Sequence, residues 1–183
     1  MKDALLVIDV VNSFFHDDAG SLLASFRSRL AGMTEALALA RRGELPVIYV
    51  NDAHGDWRGD APRFVRQAIK VGNGGDVVGA LAPGDGERFV FKPRYSAFDH
   101  TPVELILEGD RVERILLAGA ATEGCVVQSA LDARELGLKA TILGPACATV
   151  DEELERIALA YASDVGGIRI AASLDEAFAP PRN

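Results

Sequence analysis

The chain has 183 residues, of which 49% are hydrophobic and 25% charged, a composition typical of one globular domain. Its net charge of −8 argues against binding to nucleic acids or anionic membranes, because both require clustered lysines and arginines. The first apolar run, residues 4–11, contains Asp9 and follows no basic segment, so it is predicted to be neither a secretory signal nor a membrane span. Two cysteines, Cys125 and Cys147, without zinc-binding spacing, favour reduced thiols in a cytoplasmic protein.

Short apolar runs alternate with helical patterns along the chain. Strands are predicted at residues 4–10, 46–51, 88–92, 114–120, 138–143 and 167–172. Most of these runs are apolar at consecutive positions, which is typical of parallel strands covered on both faces. Helices are predicted at residues 21–42, 63–70, 101–107, 123–136 and 151–163.

This alternation predicts a three-layer α/β/α domain over residues 1–183, with an open, mostly parallel, Rossmann-like sheet of six strands. Gly43 stands where the C-cap of the first helix is expected. The Gly-rich segment 72–76 lacks the strand–glycine–helix context of a phosphate loop and is predicted to be a turn. Residues 179–183 are predicted to form a disordered tail.

Three reactive side chains stand at the ends of predicted strands. Asp9 ends the first strand, Lys92 the third, and Cys125 follows the fourth. Ligands of such folds bind beyond the carboxyl ends of the strands, so we expect the three groups to meet at one edge of the sheet. Each also has a structural interpretation: a loop-capping carboxylate, a solvent-facing lysine and an inert buried thiol.

Cys125 carries the most specific signal. In the segment GAATEGC, Thr122 is predicted to be a helix N-cap, which places Cys125 in the first helical turn. The positive end of that helix is expected to lower the thiol pKa and favour the thiolate. Cys147 lies in GPACATV and is predicted to be buried and inert.

Other candidate residues lie in or beside the loops that follow the predicted strands. Phe14, Trp57, Tyr95 and Phe98 fall in or beside loops at this edge, where they would line an apolar pocket or cover the core. Asp52 and His54 offer two metal ligands, but a useful zinc site needs at least three. No metal is therefore predicted.

At these residues the chain resembles the isochorismatase-like cysteine hydrolases, which include nicotinamidases and N-carbamoylsarcosine amidohydrolase. The resemblance runs over nearly the whole chain, through ALLVIDVVNSF, VIYVNDAHGDWRGD, KPRYSAF and LAGAATEGCVVQSALDARELG. It implies a catalytic triad of Asp9, Lys92 and Cys125, and a cis peptide bond between Ala120 and Ala121. It further implies an oxyanion hole formed by the N–H groups of Ala121 and Cys125. From their place in these loops, rather than from the resemblance, Phe14, Trp57 and Tyr95 are predicted to contact the substrate.

The sequence departs from the family pattern at three points. The common DxQ motif here ends in Val11, and Ser13 stands where many members carry an aspartate. Nicotinamidases hold a metal with an aspartate and several histidines; Asp52 and His54 match the start of that set, but Asp60 stands near the next position. The loop therefore looks more like that of a metal-free branch of the family.

The resemblance implies hydrolysis of a small amide or related acyl compound through a Cys125 thioester, without a cofactor. Alternatives are hydrolysis of a vinyl ether such as isochorismate, a non-catalytic small-molecule binder, and a thiol redox sensor. The expected partner is a small molecule, with no nucleic acid and no membrane. Family members commonly assemble as dimers or tetramers, so a homo-oligomer is expected.

Overall fold

A computed structural model describes residues 2–179 of the chain. Its centre is a sheet of six parallel strands in the order β3-β2-β1-β4-β5-β6. The strands are β1 (Asp3–Ile8), β2 (Val47–Asp52), β3 (Arg88–Lys92), β4 (Arg114–Ala120), β5 (Lys139–Ala148) and β6 (Arg169–Ala171). The predicted six-stranded α/β sheet is confirmed, and every strand pair is parallel.

Seven helices connect and flank the strands within the described residues. They are α1 (Ala19–Arg42), α2 (Ala61–Val71), α3 (Gly75–Ala80), α4 (Val103–Gly109), α5 (Val127–Glu135), α6 (Glu152–Asp164) and α7 (Leu174–Phe178). No helix in residues 2–179 is long and apolar enough to cross a membrane. Gly43 does form the C-cap of α1, and its N–H donates to Leu39 O at 2.9 Å.

The two faces of the sheet bury separate apolar clusters. Leu5 and Val7 of β1 pack with α1 residues such as Phe26 on one face. Leu6 and Ile8 pack on the other, against residues of α4, α5 and α6. Consecutive side chains of a strand point to opposite faces, so a strand covered on both sides must be apolar throughout. This explains the continuous apolar run of β1.

Two local predictions are wrong, and one short helix was missed. The segment 72–76 is not only a turn, because α3 begins at Gly75. The five-residue helix α7 was not predicted. The helix predicted at 123–136 starts with a separate wide turn, Thr122–Val126, called here the Cys125 turn, in which the non-helical backbone of Gly124 interrupts the helix. The predicted tail lies outside the described residues from position 180 onward.

The strand order reverses between β1 and β4. The connections from β1 lead outward to β2 and β3 on one side, and those from β4 lead to β5 and β6 on the other. The two strands approach closely at Ile8 and Gly119, which are register partners. A Cβ at Gly119 would meet Ile8 O at 2.0 Å. The backbone φ of Gly119 is +123°, which also disfavours any residue other than glycine at this position. The cleft expected at this reversal lies beyond Asp9 and Ala120.

Candidate active site

Asp9 begins the loop that follows β1. Its backbone is left-handed, with a φ of 51°, a conformation that aspartate tolerates better than most residues. The backbone N–H donates to Val50 O at 3.1 Å, and carboxylate Oδ1 accepts from the Asp52 N–H at 2.6 Å. The end of β2 therefore fixes the orientation of the carboxylate, whose other oxygen faces Lys92.

Lys92 is the last residue of β3, and its side chain is only 1% exposed. Its ammonium lies 2.8 Å from Asp9 Oδ2 and 3.3 Å from Cys125 Sγ, and it donates to Arg94 O at 2.8 Å. These three partners match the three hydrogens of an ammonium group. The interpretation of Lys92 as a solvent-facing lysine is therefore wrong.

Cys125 is partly buried and lies in the Cys125 turn, immediately before α5. Ser129 donates from Oγ to Cys125 O at 2.6 Å and accepts from the Ala97 N–H at 2.8 Å. This buried serine connects the segment that carries the sulfur to the loop that follows Lys92. It was missed in the sequence, although its position four residues after Cys125 places both on one helical face.

The role predicted for Thr122 as a helix N-cap is wrong. Ala121 is the capping residue of the turn, and no side-chain hydrogen bond caps it. The Thr122 hydroxyl is fully buried and instead lies 3.0 Å from Ala148 O and 2.8 Å from Glu155 Oε1. Its polar group therefore contacts β5 and α6.

The peptide bond between Ala120 and Ala121 is cis, as the sequence resemblance implied. Ala121 O accepts from the N–H groups of Gly124 and Val126 at 3.1 and 3.2 Å. The Ala121 carbonyl therefore forms hydrogen bonds within the turn. A Cβ placed at Gly124 would meet no described atom within 4 Å outside its chain neighbours, so there is open space at the residue that precedes Cys125.

The electrostatics of the three groups differ from the sequence expectation. Burial and the neighbouring Asp9 carboxylate raise the pKa of the Cys125 thiol to about 12, and Lys92 only partly opposes this. Burial likewise raises the pKa of Asp9, against the effect of Lys92. The pKa of Lys92 is raised too: burial, the largest single influence, lowers it, but the combined effect of Asp9 and Cys125 is larger. The predicted lowering of the thiol pKa is wrong, because burial and the Asp9 carboxylate raise it by more than Lys92 lowers it.

We expect a resting protein whose Cys125 is a protonated thiol. Because the raised pKa shifts the thiolate fraction to higher pH, alkylation of Cys125 by iodoacetamide should still accelerate between pH 9 and 10.5. Peptide mass spectrometry at each pH would give the rate, with circular dichroism to verify folding. A plateau near pH 9, as for an exposed cysteine, would contradict this assignment.

The buried ion pair between Lys92 and Asp9 also leads to a prediction about stability. Lys92→Met leaves the Asp9 carboxylate buried without its cation, which should lower the free energy of unfolding by about 3–5 kcal/mol. The raised pKa of Lys92 keeps this contribution present at pH 7 and removes it only as the pH rises through the raised value. Urea denaturation at pH 7 would measure the loss.

Two variants control this measurement. Asp9→Asn/Lys92→Met removes both charges and should be more stable than Lys92→Met alone. Lys139→Met removes an exposed lysine at the opposite end of the sheet and should change stability by no more than about 0.5 kcal/mol. A double variant less stable than Lys92→Met would refute a stabilising role for the ion pair.

Two cavities flank the end of β2. One, of about 470 Å³, lies on the β3 side and is lined by Asp52, Pro93, Arg94, Tyr95, Ser96, Asp99, Gln128 and Asp132. The other, of about 170 Å³, lies on the β1 side and is lined by Val11, Ser13, Ala53, His54, Asp56, Phe64, Gln67 and Ala68. Asp9, Lys92 and Cys125 line neither of these two cavities, although Pro93 of the larger one follows Lys92 and Val11 of the smaller one lies two residues after Asp9.

The predicted substrate-contacting aromatic residues lie in different environments. Tyr95 is 69% exposed and lines the larger cavity, whereas Trp57 is 60% exposed and lines neither of the two cavities. Phe14 is 2% exposed and packs edge-on against Phe26, with ring centroids 5.6 Å apart. Phe14 therefore has the position of a core residue.

The donor set near His54 does not fit a metal ion. His54 Nδ1 lies 3.7 Å from Asp52 Oδ1, and that oxygen accepts from the His54 backbone N–H at 2.6 Å. Across residues 2–179, no three histidine, cysteine, aspartate or glutamate side chains are grouped to hold a metal. No chemical step is therefore assigned to a metal.

Comparisons of the sequence with known proteins point to one protein family. The sequence model of a protein family, described as the isochorismatase domain, matches residues 3–173. An uncharacterized isochorismatase family protein of Bacillus subtilis, YaaI, is 30% identical over 162 residues, covering 88% of this chain and 89% of that protein. The maleamate amidohydrolase of Pseudomonas putida is 29% identical over 150 residues, covering 78% and 70%.

A solved structure agrees in fold. The isochorismatase-like hydrolase from Alkaliphilus metalliredigens superposes with a TM-score of 0.78 at 24% identity, covering 97% of this chain and 98% of that one. This superposition shows the same fold, and the match of the family model over residues 3–173 shows the family. The chain belongs to the isochorismatase-like hydrolase family.

Proposed function

We propose that this chain is a cysteine hydrolase that cleaves the C–N bond of a small amide through a Cys125 thioester. The observation that carries the proposal is the meeting of three groups: the Lys92 ammonium lies 2.8 Å from Asp9 Oδ2 and 3.3 Å from Cys125 Sγ. A carboxylate and a thiol that both contact one ammonium supply a base, a nucleophile and a fixed positive charge. The similarity to a maleamate amidohydrolase supports amide chemistry.

The first half of the reaction forms the thioester. Cys125 Sγ attacks the carbonyl carbon while Asp9 accepts the thiol proton; the Lys92 ammonium, which contacts both side chains, holds the carboxylate near the sulfur. The raised thiol pKa makes this proton transfer part of the attack rather than a step that precedes it. Asp9 then gives the proton to the leaving nitrogen, and the C–N bond breaks.

The second half releases the acid. Asp9, again a carboxylate, takes a proton from water as the water oxygen attacks the thioester carbonyl, and the sulfur leaves as a thiolate and regains the proton. Lys92 stabilises both the carboxylate and the thiolate by its charge. Every proton that Asp9 accepts is returned, so the site is unchanged after each turnover.

The oxyanion formed in each half requires hydrogen-bond donors. We assign this role to the N–H groups of Ala121 and Cys125, which belong to the backbone of the Cys125 turn and the residue before it. Removal of one such donor costs about 3–4 kcal/mol in well-studied acyl-transfer enzymes. These donors must be fixed before the substrate arrives, which makes the hydrogen bonds around the turn part of the proposed mechanism.

A substrate panel tests the proposal. Maleamate, N-carbamoylsarcosine and nicotinamide report ammonia release, and isochorismate reports vinyl ether cleavage. We expect turnover of an amide or carbamoyl compound. Turnover of isochorismate alone would overturn the amide assignment, and rapid binding of a panel compound with no turnover would favour the non-catalytic alternative.

A further inference from the structure

A largely buried ion pair between α1 and α6 contacts the Cys125 turn at Thr122. Glu155 of α6 and Arg29 of α1 form two hydrogen bonds, with N–O distances of 2.6 and 2.7 Å. Their side chains are only 11% and 24% exposed. The paired geometry holds the carboxylate in one orientation, because both of its oxygens meet the planar guanidinium.

Arg29 also reaches the backbone of β5. Its Nη1 donates to Cys147 O at 2.6 Å, in addition to Glu155 Oε1. The ion pair is thus attached to a central strand as well as to two helices, and neither side chain can rotate without breaking a hydrogen bond. This gives Glu155 a fixed position relative to the sheet.

Thr122 connects this ion pair to the turn. Its hydroxyl lies 2.8 Å from Glu155 Oε1 and 3.0 Å from Ala148 O, and its side chain is completely buried. A hydroxyl has one hydrogen to donate, and a carboxylate is the stronger acceptor. Thr122 precedes Cys125 by three residues, so its side chain anchors the start of the turn that carries the sulfur.

We infer that Glu155, oriented by Arg29, is a positioning residue that acts through Thr122 to hold the sulfur of Cys125 beside Lys92. The inference rests on the proposed function, since it assigns a role toward the same nucleophile. At 3.3 Å from the ammonium, the thiolate gains stabilisation that falls with distance. A shift of the turn would raise the thiol pKa further and misplace the N–H groups proposed for the oxyanion.

The test measures the nucleophile without requiring a substrate. Iodoacetamide alkylation of Cys125, followed by peptide mass spectrometry from pH 7 to 10, reports the thiolate fraction and its pH dependence. Thr122→Val keeps the shape of the side chain and removes the hydroxyl, and Glu155→Gln removes the charge. For each variant we expect roughly tenfold slower alkylation at pH 8, which corresponds to a thiol pKa about one unit higher.

Three further variants separate positioning from general stability. Thr122→Ser retains the hydroxyl and should restore the wild-type rate. In the Thr122→Val background, Glu155→Gln should slow alkylation no further, because residues that act through one contact are not additive. Arg114→Met breaks the buried Arg114–Asp3 pair at the opposite edge of the sheet and should lower stability without changing the rate.

The inference is overturned if Thr122→Val or Glu155→Gln alkylates at the wild-type rate, or if Arg114→Met slows the reaction equally. The Glu155→Gln variant decides the matter if Thr122→Val does not fold. Because alkylation needs no turnover, these results are independent of the substrate panel. A panel without any hydrolysed amide would therefore refute the proposed function while leaving the measured role of Glu155 intact.

Discussion

Cys125→Ala is expected to lower the hydrolysis rate of the best amide substrate by roughly 1,000-fold or more while the protein stays folded. The variant removes the only atom in the triad that can form the thioester, and losses of this size or greater follow removal of an enzymatic nucleophile. Alanine is small and apolar, so the buried surroundings of residue 125 accept it. Initial rates, circular dichroism and urea denaturation would be measured on the same preparation.

Cys147→Ala is the matched control. Cys147 is fully buried, and its sulfur lies 3.5 Å from Leu117 O, within the sheet. Its position agrees with the inert role predicted from the sequence, so we expect its loss to affect stability slightly and activity little. Equal activity of Cys125→Ala and the wild type would refute the nucleophile assignment, whatever the effect at Cys147.

Asp9→Asn is expected to change two measured rates in opposite directions. Turnover should fall by about 100- to 10,000-fold, because the variant has no base for the thiol proton. Alkylation of Cys125 by iodoacetamide should become faster at pH 8, because the Asp9 charge is one of the causes that raise the thiol pKa. Lys92 would then act on the sulfur without a competing carboxylate.

This opposition distinguishes the base from a merely structural carboxylate. A variant that only loosens the site would slow both reactions or leave both unchanged. The pH profile adds a further check: turnover by the wild type should rise with pH through the Asp9 pKa, which burial places above its ordinary value. If alkylation and turnover fall together in Asp9→Asn, the carboxylate does not have the role assigned to it.

Much of the fold follows from patterns of apolar residues. After their charged first residues, Asp3 and Arg114, β1 and β4 carry no polar side chain because both faces of these central strands are covered, and such runs are visible in the sequence. The short helices α3 and α7 were missed because six and five residues give too few turns for a helical period to be detected.

The meeting of Asp9, Lys92 and Cys125 was predictable for a topological reason. In a parallel sheet, the carboxyl ends of all strands lie at one edge, so Asp9 and Lys92 had to share an edge with the residue that follows β4. The protonation state of the Cys125 thiol was less predictable. The thiol pKa depends on burial and on the distance to a carboxylate, and neither quantity is encoded in the local segment that suggested a lowered value.

The polar contacts behind the site could not be read from the sequence. Arg29 and Glu155 are 126 positions apart and meet only after α1 and α6 pack near the Cys125 turn. Ser129 occupies an ordinary helix position in the sequence, which does not indicate its contacts with Cys125 O and the Ala97 N–H. Long-range hydrogen bonds of this kind depend on tertiary packing rather than on local pattern.

Trapping with hydroxylamine is the most direct test of a thioester on Cys125. The best substrate of the panel is hydrolysed with increasing hydroxylamine, and the free acid and the hydroxamate are quantified by mass spectrometry. A thioester at the sulfur of residue 125 predicts that hydroxamate replaces acid as hydroxylamine increases, and that Cys125→Ala forms neither product at an appreciable rate. Acid as the sole product at every hydroxylamine concentration, with Cys125→Ala still active, would contradict covalent catalysis by this cysteine.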